Sequence, residues 1–221
     1  MKDKLLTVLY AVAVFFLIIT FCISLPIYCR FFYYAQIEPL SLPEKTGESV
    51  QTIQAAYDEV LNYLTIPGAQ FGTGVFKHSK EGASHFADCK VLFDLNAAVL
   101  LVSFAVVIAL LILHKKRVLQ LKRPLGMNAN FLSATAAIAL FLLLGIFVAA
   151  DFNTAFKVFH AVCFPGKDNW IFHPAKDAII RILPADFFMS CAILIIASLI
   201  FVCLGIITVQ VVGLIRKRKH K

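Results

Sequence analysis

The chain has 221 residues, of which 60% are hydrophobic and 15% charged, with a mean hydropathy of +0.83. A soluble domain carries about 25% charged residues, so an ordinary water-soluble enzyme is excluded. The formal net charge of +8 would suit a nucleic-acid binder, but the basic residues sit at the ends of apolar runs and not on a polar face.

Four apolar runs reach the length of about 20 residues needed to cross a hydrocarbon core. The first, residues 5–27, has no charged residue. It exceeds the 7–15 residues of a signal-peptide core and no small-residue cleavage site follows. Cys22 and Cys29 follow Phe21 and Tyr28, not the small residue a lipoprotein cleavage site requires. The run therefore reads as a retained helix. Residues 28–90 form the first large polar segment. Within it, residues 48–64 place Val50, Ile53, Tyr57, Val60, Leu61 and Leu64 at spacings of three and four, and Pro67-Gly68 ends the pattern. That is an amphipathic helix, expected as a lid packed on the helix ends.

The second run, 91–113, is interrupted only by Asp94. The third, 125–150, is uncharged, with Asn128 and Asn130 near its start. After a second polar segment at 151–186, the fourth run covers 187–215, with Gln210 near its end. Lipid offers no hydrogen bonds to backbone amides, so all four should be helices. No internal repeat or Gly/Ser linker interrupts the chain. The expected fold is an all-α integral membrane protein: a single domain over 1–221, a four-transmembrane-helix bundle with two sizeable extracytoplasmic loops.

Orientation follows the distribution of Lys and Arg in short loops. The start (Lys2, Lys4), the 114–124 loop (Lys115, Lys116, Arg117, Lys122, Arg123) and the tail (Arg216, Lys217, Arg218, Lys219, Lys221) oppose a single acid, Asp3. The remaining segments carry more acids than bases. Both termini and the 114–124 loop are thus expected in the cytoplasm, where basic residues anchor to an anionic leaflet. No nucleic-acid partner is implied.

Cysteine spacing carries little chemistry. No C-x-x-C occurs, which argues against a thiol oxidase; Cys89 and Cys163 fall near the outer ends, where an oxidising compartment would permit a bridge. Neither H-E-x-x-H nor H-x-x-E-H is present. The histidines say more. His78, His85, His160 and His173 all fall outside the spans. With a helix starting around Lys80, His85 and Asp88 share a face, and His85 stands about 9 Å above Val91 at 1.5 Å per residue, in the ester layer of the bilayer. Phe156, His160 and Phe164 recur at intervals of four, so His160 should face apolar material. Either histidine alone reads as a hydrogen-bonded buried ring or an interfacial anchor; two at one membrane depth, beside acids, point to chemistry on lipid.

Five stretches occur in order: Tyr57-Asp-Glu-Val-Leu-Asn-Tyr63-Leu64; His85, Asp88 and Lys90 as H-x-x-D-x-K; F-x-x-F-H-x-x-x-F from Phe156 to Phe164; Trp170-Ile-Phe172-His173-Pro174-Ala-Lys-Asp177; and Leu183-Pro184-x-x-Phe187-Phe188. Together they resemble the bacterial lipoprotein intramolecular transacylases, which are four-helix membrane proteins, over nearly the whole chain. His173 stands where an acidic residue is expected before the proline, and Cys89 where an aliphatic residue is usual.

The resemblance implies an acyltransferase. Such enzymes move the sn-2 acyl chain of a diacylglyceryl-cysteine onto that cysteine's own α-amine, leaving an N-acyl lyso-form lipoprotein. Diacylated bacterial lipoproteins and membrane lipid are the implied partners, the bacterial cell membrane the location, and the outer leaflet the side of the active site. Ester aminolysis runs downhill, so no cofactor or metal is implied. His85 is expected as general base, oriented by Asp88, and His160 as the group that stabilises the oxyanion and protonates the departing oxygen. The two roles could be exchanged, or either ring could carry the acyl group transiently. Phe156 and Trp170 would shape an acyl cradle, while Lys90 and Asp177 would orient headgroup or peptide.

Two other classes compete. A four-helix junctional or receptor-associated scaffold typically carries a Trp-containing motif in its first outer loop, and residues 28–90 contain no Trp. A lipid-ester hydrolase would need a Ser–His pair, yet Ser84 adjoins His85 in sequence and adjacent helical residues do not face each other. Convergence of His85 and His160 in the fold separates the enzyme from the scaffold.

Overall fold

The computed structural model describes residues 2–123 and 126–219, the side chains of 217–219 excepted. Among the described residues eight α-helices follow in order: α1 (Lys2–Tyr28), α2 (Arg30–Tyr34), α3 (Leu42–Thr46), α4 (Val50–Thr65), α5 (Lys80–Lys115), α6 (Ala129–Ala150), α7 (Phe152–Cys163) and α8 (Ala185–Lys219). A 3₁₀ turn at Ala178–Arg181 precedes α8. No strand occurs among the described residues. Helices α1, α5, α6 and α8 are long and apolar enough to cross a membrane, and the four expected spans fall on them. The start of the third span at 125, loop residue 124 and the end of the tail at 220–221 lie outside the described residues.

The chain divides into two compact units, and each long helix contributes to both. The first contains residues 1–24, 96–146 and 194–221. Its core is Tyr10, Val14, Ile18, Cys22, Val107, Leu110, Leu199 and Cys203, with Ala13, Ala134 and Ala137 between them. Small residues let helix backbones approach where no water is present to drive association. Polar side chains then stitch the helices: the Ser133 hydroxyl reaches the Ala11 carbonyl at 2.7 Å, and the Asn96 amide donates to Ser24 Oγ at 2.9 Å. Asn128 accepts the Phe131 amide at 2.8 Å, which caps the start of α6; its own amide donates to Gln210 of α8. Large apolar side chains such as Leu101, Phe201 and Val209 point outward, as a lipid-facing surface requires.

The second unit contains residues 25–95 and 147–193. Ser49 caps α4 by accepting the Thr52 amide at 3.1 Å. The expected apolar face of α4 is buried at Ile53, Tyr57, Val60, Leu61 and Leu64, with Ala56 added, while Val50 is only partly covered. This face packs on Tyr33, Ile37, Leu42, Phe86, Ile179, Ile182 and Phe187. Tyr33 stacks on Tyr57 with ring centres 3.7 Å apart and donates its hydroxyl to the Ile182 carbonyl at 2.8 Å. Arg30 reaches Asp58 at 2.5 Å and Asn62 at 2.6 Å, fastening α2 to α4. The sequence pattern did not anticipate α2 or α3; five residues are too few for helical periodicity to show.

Candidate active site

The site lies wholly within the second unit, on α5, α7 and the loop that follows α7. Helix α5 begins at Lys80, as the spacing of His85 and Asp88 requires, and runs without a break to Lys115. His85 therefore sits on its N-terminal turns, ahead of the spanning residues 91–113. Helix α7 is capped by Asp151, whose carboxylate accepts the Thr154 amide at 3.1 Å. It ends at Cys163, and Gly166, with φ +74°, allows the chain to turn back.

The two histidine rings face each other with centres 5.5 Å apart, and both residues are only 5% exposed. Phe156 lies 4.3 Å from the His160 ring and Trp170 stacks on it at 4.5 Å. Phe164 and Phe172 meet His85 edge-on at 4.9 and 5.6 Å. The expected stripe of Phe156, His160 and Phe164 is thus one wall of an aromatic pocket around both imidazoles.

Each ring's environment selects a state. His160 Nδ1–H donates to the Phe156 carbonyl at 2.7 Å, which makes Nε2 the lone-pair nitrogen of the neutral ring. Burial lowers the His160 pKa below its usual value, opposed by that carbonyl. Burial, and next the neighbouring His160, push His85 down to about 4. His85 is therefore neutral at pH 7, with a lone pair free to take a proton. Its Nε2 lies 3.4 Å from Cys89 Sγ. Burial, then Asp88, push the Cys89 thiol up to about 12, so it stays protonated and is not a nucleophile. All six cysteines are free thiols, Cys89 and Cys163 included.

Asp88 faces the loop after α7. Its carboxylate accepts from Lys167 Nζ at 2.5 Å and from Asn169 Nδ2 at 2.9 Å, bonds that hold its pKa below the usual range. The side chains of Lys90 and Asp177 are engaged elsewhere. Lys90 donates to the Tyr63 carbonyl at 2.7 Å, closing the end of α4, and lies over the Tyr63 ring. Asp177, 3% exposed, accepts the amides of Ser79 at 2.7 Å and His173 at 3.2 Å. Burial would raise its pKa, but the bonds from Ser79 and His173 outweigh that and keep it ionised. It ties the 173–177 loop to the start of α5. Lys167, Asn169 and Phe172 complete the surroundings of His85; a lysine and a neutral amide in a loop carry no periodic signal from which the sequence could have singled them out.

Gly82, one turn before His85, packs against Asp177 and Phe172. A Cβ there would lie 2.6 Å from Asp177 Oδ1 and 3.0 Å from Phe172 Cε1, and Asp177 is pinned by two backbone amides. Gly82→Ala is expected to cost about 1–3 kcal/mol through overpacking and to reduce activity by displacing Phe172 from His85. Thermal unfolding in detergent beside an activity assay checks it; unchanged stability and rate would show that the loop yields freely.

Fold and site together define a multi-pass helical membrane protein whose buried histidine pair, in an aromatic pocket, is equipped for acid–base chemistry. The family model for lipoprotein intramolecular transacylase Lit matches residues 8–188. The chain belongs to that family. It is an acyltransferase, a lipoprotein intramolecular transacylase, as the ordered motifs led one to expect. Its fold is similar to the membrane-integral lipoprotein intramolecular transacylase Lit from Bacillus cereus, with 23% identity, TM-score 0.86 and coverage of 100% of this chain and 99% of that one. Structures of the same Bacillus cereus protein with an H85R and an H85A mutation match with TM-score 0.79 and 22% identity, each over 100% of this chain and 95% and 96% of theirs. Comparison with curated proteins finds no match.

Proposed function

We propose that the chain, working as one membrane domain, transfers the sn-2 acyl group of a diacylglyceryl-cysteine to the α-amine of the same cysteine. The reaction takes place at the outer leaflet of a bacterial cell membrane, with both termini in the cytoplasm. The observation that carries this reading is the pair of buried imidazoles 5.5 Å apart. The basic residues at the start, in the 114–124 loop and in the tail support the orientation.

The amine attacks the ester carbonyl through a ring of about eight atoms, and positioning supplies much of the rate. Neutral His85 takes the proton that the attacking nitrogen sheds. His160, whose Nδ1–H is braced by the Phe156 carbonyl, better tolerates a positive charge; from Nε2 it stabilises the oxyanion and protonates the leaving sn-2 oxygen. Proton return from His85 to His160 resets the pair. Phe156, Phe164 and Trp170 hold the acyl chain and keep water from the intermediate. Lys90 and Asp177 serve the substrate indirectly, by fixing α4 and the 173–177 loop.

Intramolecular transfer leaves the mass of the lipopeptide unchanged. Expression beside a diacylated lipoprotein, in a host lacking other N-acylation, should give an N-terminal peptide of identical mass whose fragments place one acyl group on nitrogen and leave the sn-2 oxygen free. Loss of one acyl mass would make the chain a hydrolase, gain of one an intermolecular transferase, and unchanged fragments would end the proposal.

A pH profile tests the assignment of states. A free α-amine has a pKa of about 7.7–8.0 and must be neutral to attack, whereas His160 must be protonated. Below the His160 pKa the protonated fraction is full and the neutral amine grows with pH. Between the two values these trends cancel; above the amine pKa the loss of protonated His160 wins. The expected profile of kcat/KM is a bell with its acid midpoint below 6.5, because burial lowers His160. An acid midpoint at or above 6.5 would contradict it.

A further inference from the structure

Asp88 was expected to orient His85 directly, yet both of its oxygens are occupied by Lys167 and Asn169. Two buried atoms nearby have no partner: Nδ1 of His85 and Oδ1 of Asn169. The Asn169 Nδ2 group donates to Ser84 Oγ at 3.4 Å and to Asp88 Oδ2 at 2.9 Å, so the amide lies along the turn of α5 that carries His85. Its orientation is fixed, since a carboxylate can only accept and Nδ2 must therefore face Asp88. That leaves Oδ1, a pure acceptor, as the buried atom without a partner.

We propose that Asn169 is a positioning residue for His85, its Oδ1 accepting Nδ1–H of the ring, and that Asp88 and Lys167 act by holding Asn169. This bond partners both orphaned atoms at once. It also selects the tautomer with the lone pair on Nε2, beside Cys89, so that Nε2 is the nitrogen that takes the proton. An alternating chain of donors and acceptors runs from Lys167 through Asp88 and Asn169 to His85. Its logic is that of other catalytic histidines, whose second nitrogen is held by a fixed acceptor. A neutral amide suits this pocket: His160 and Lys167 already face His85 from α7 and its loop, Asp88 and Cys89 stand on its own helix, and Phe86, Phe164 and Phe172 supply only apolar surface.

The inference rests on His85 acting as the base, and the test separates the two. In protein labelled with ¹⁵N-histidine, the His85 signals, identified by their loss in His85→Gln, should show a single tautomer protonated at Nδ1. Asn169→Leu, close in size but without the acceptor, should give exchange-averaged shifts and lower kcat roughly 10- to 100-fold with KM unchanged, a smaller loss than the roughly 10²–10⁴-fold that removing a positioned acid–base group itself brings. Asn169→Asp keeps the acceptor and adds a charge, so the His85 pKa should rise and the lowest-pH inflection of the rate profile should move upward. A fixed Nδ1–H tautomer that survives Asn169→Leu overturns the proposal, as does a change confined to KM. A tautomer change without a rate change would leave the hydrogen bond standing and remove His85 as base. If Asn169→Leu does not fold, Asn169→Asp decides: an unmoved inflection overturns the proposal.

Discussion

Alanine at His85 or at His160 is expected to lower transacylation by roughly 10²–10⁴-fold, the range a positioned acid or base contributes. The two losses should not add. Once either ring is gone the proton has no completed path from the attacking nitrogen to the leaving oxygen, and groups acting as a unit are strongly non-additive. The double replacement should therefore be little worse than the single ones. The fraction of N-acylated lipopeptide against time, read by fragmentation, measures this. The rings lie in contact with Phe156, Phe164, Phe172 and Trp170, so each variant also needs an unfolding curve. Glutamine, nearer in volume, separates lost chemistry from lost packing. A histidine-to-alanine pair that retained activity would remove the mechanism and leave the fold.

Tyr33→Ala is the replacement expected to damage folding most. Tyr33 is fully buried, stacked on Tyr57 and edge-on to Phe187 at 5.1 Å, and its hydroxyl holds the Ile182 carbonyl ahead of α8. Truncating a buried aromatic costs about 3–5 kcal/mol. Tyr33→Phe isolates the polar contribution: it keeps the ring, leaves one carbonyl unpartnered and should cost about 1–3 kcal/mol. Thermal unfolding in detergent micelles, with wild type and both variants side by side, gives the order. Equal stability of Tyr33→Phe and wild type would mean that water reaches the Ile182 carbonyl and the contact contributes nothing.

The spans, the start of α5 and the buried face of α4 were legible because each rests on a local rule. Lipid demands internally satisfied backbones, and an amphipathic helix repeats its apolar residues every three or four positions. The aromatic stripe around His160 was legible for the same reason. The third span, α6, begins only at Ala129 because Asn128 caps it with its own side chain. Short helices α2 and α3 left no pattern, and their order comes from packing on α4.

Composition and periodicity by themselves determined that this is a four-span helical membrane protein with two substantial polar segments, and the order of short motifs identified its family. Tertiary structure alone decided which partners the polar side chains around His85 have. His85 lies 75 positions from His160 in sequence, and Asp88 lies 79 from Lys167; contacts at such separations arise from the path of the chain, which no local spacing records. For that reason Lys90 proved to close α4, Asp177 to pin a loop, and Asp88 to meet a lysine and an amide, where the sequence suggested that it would meet the ring of His85.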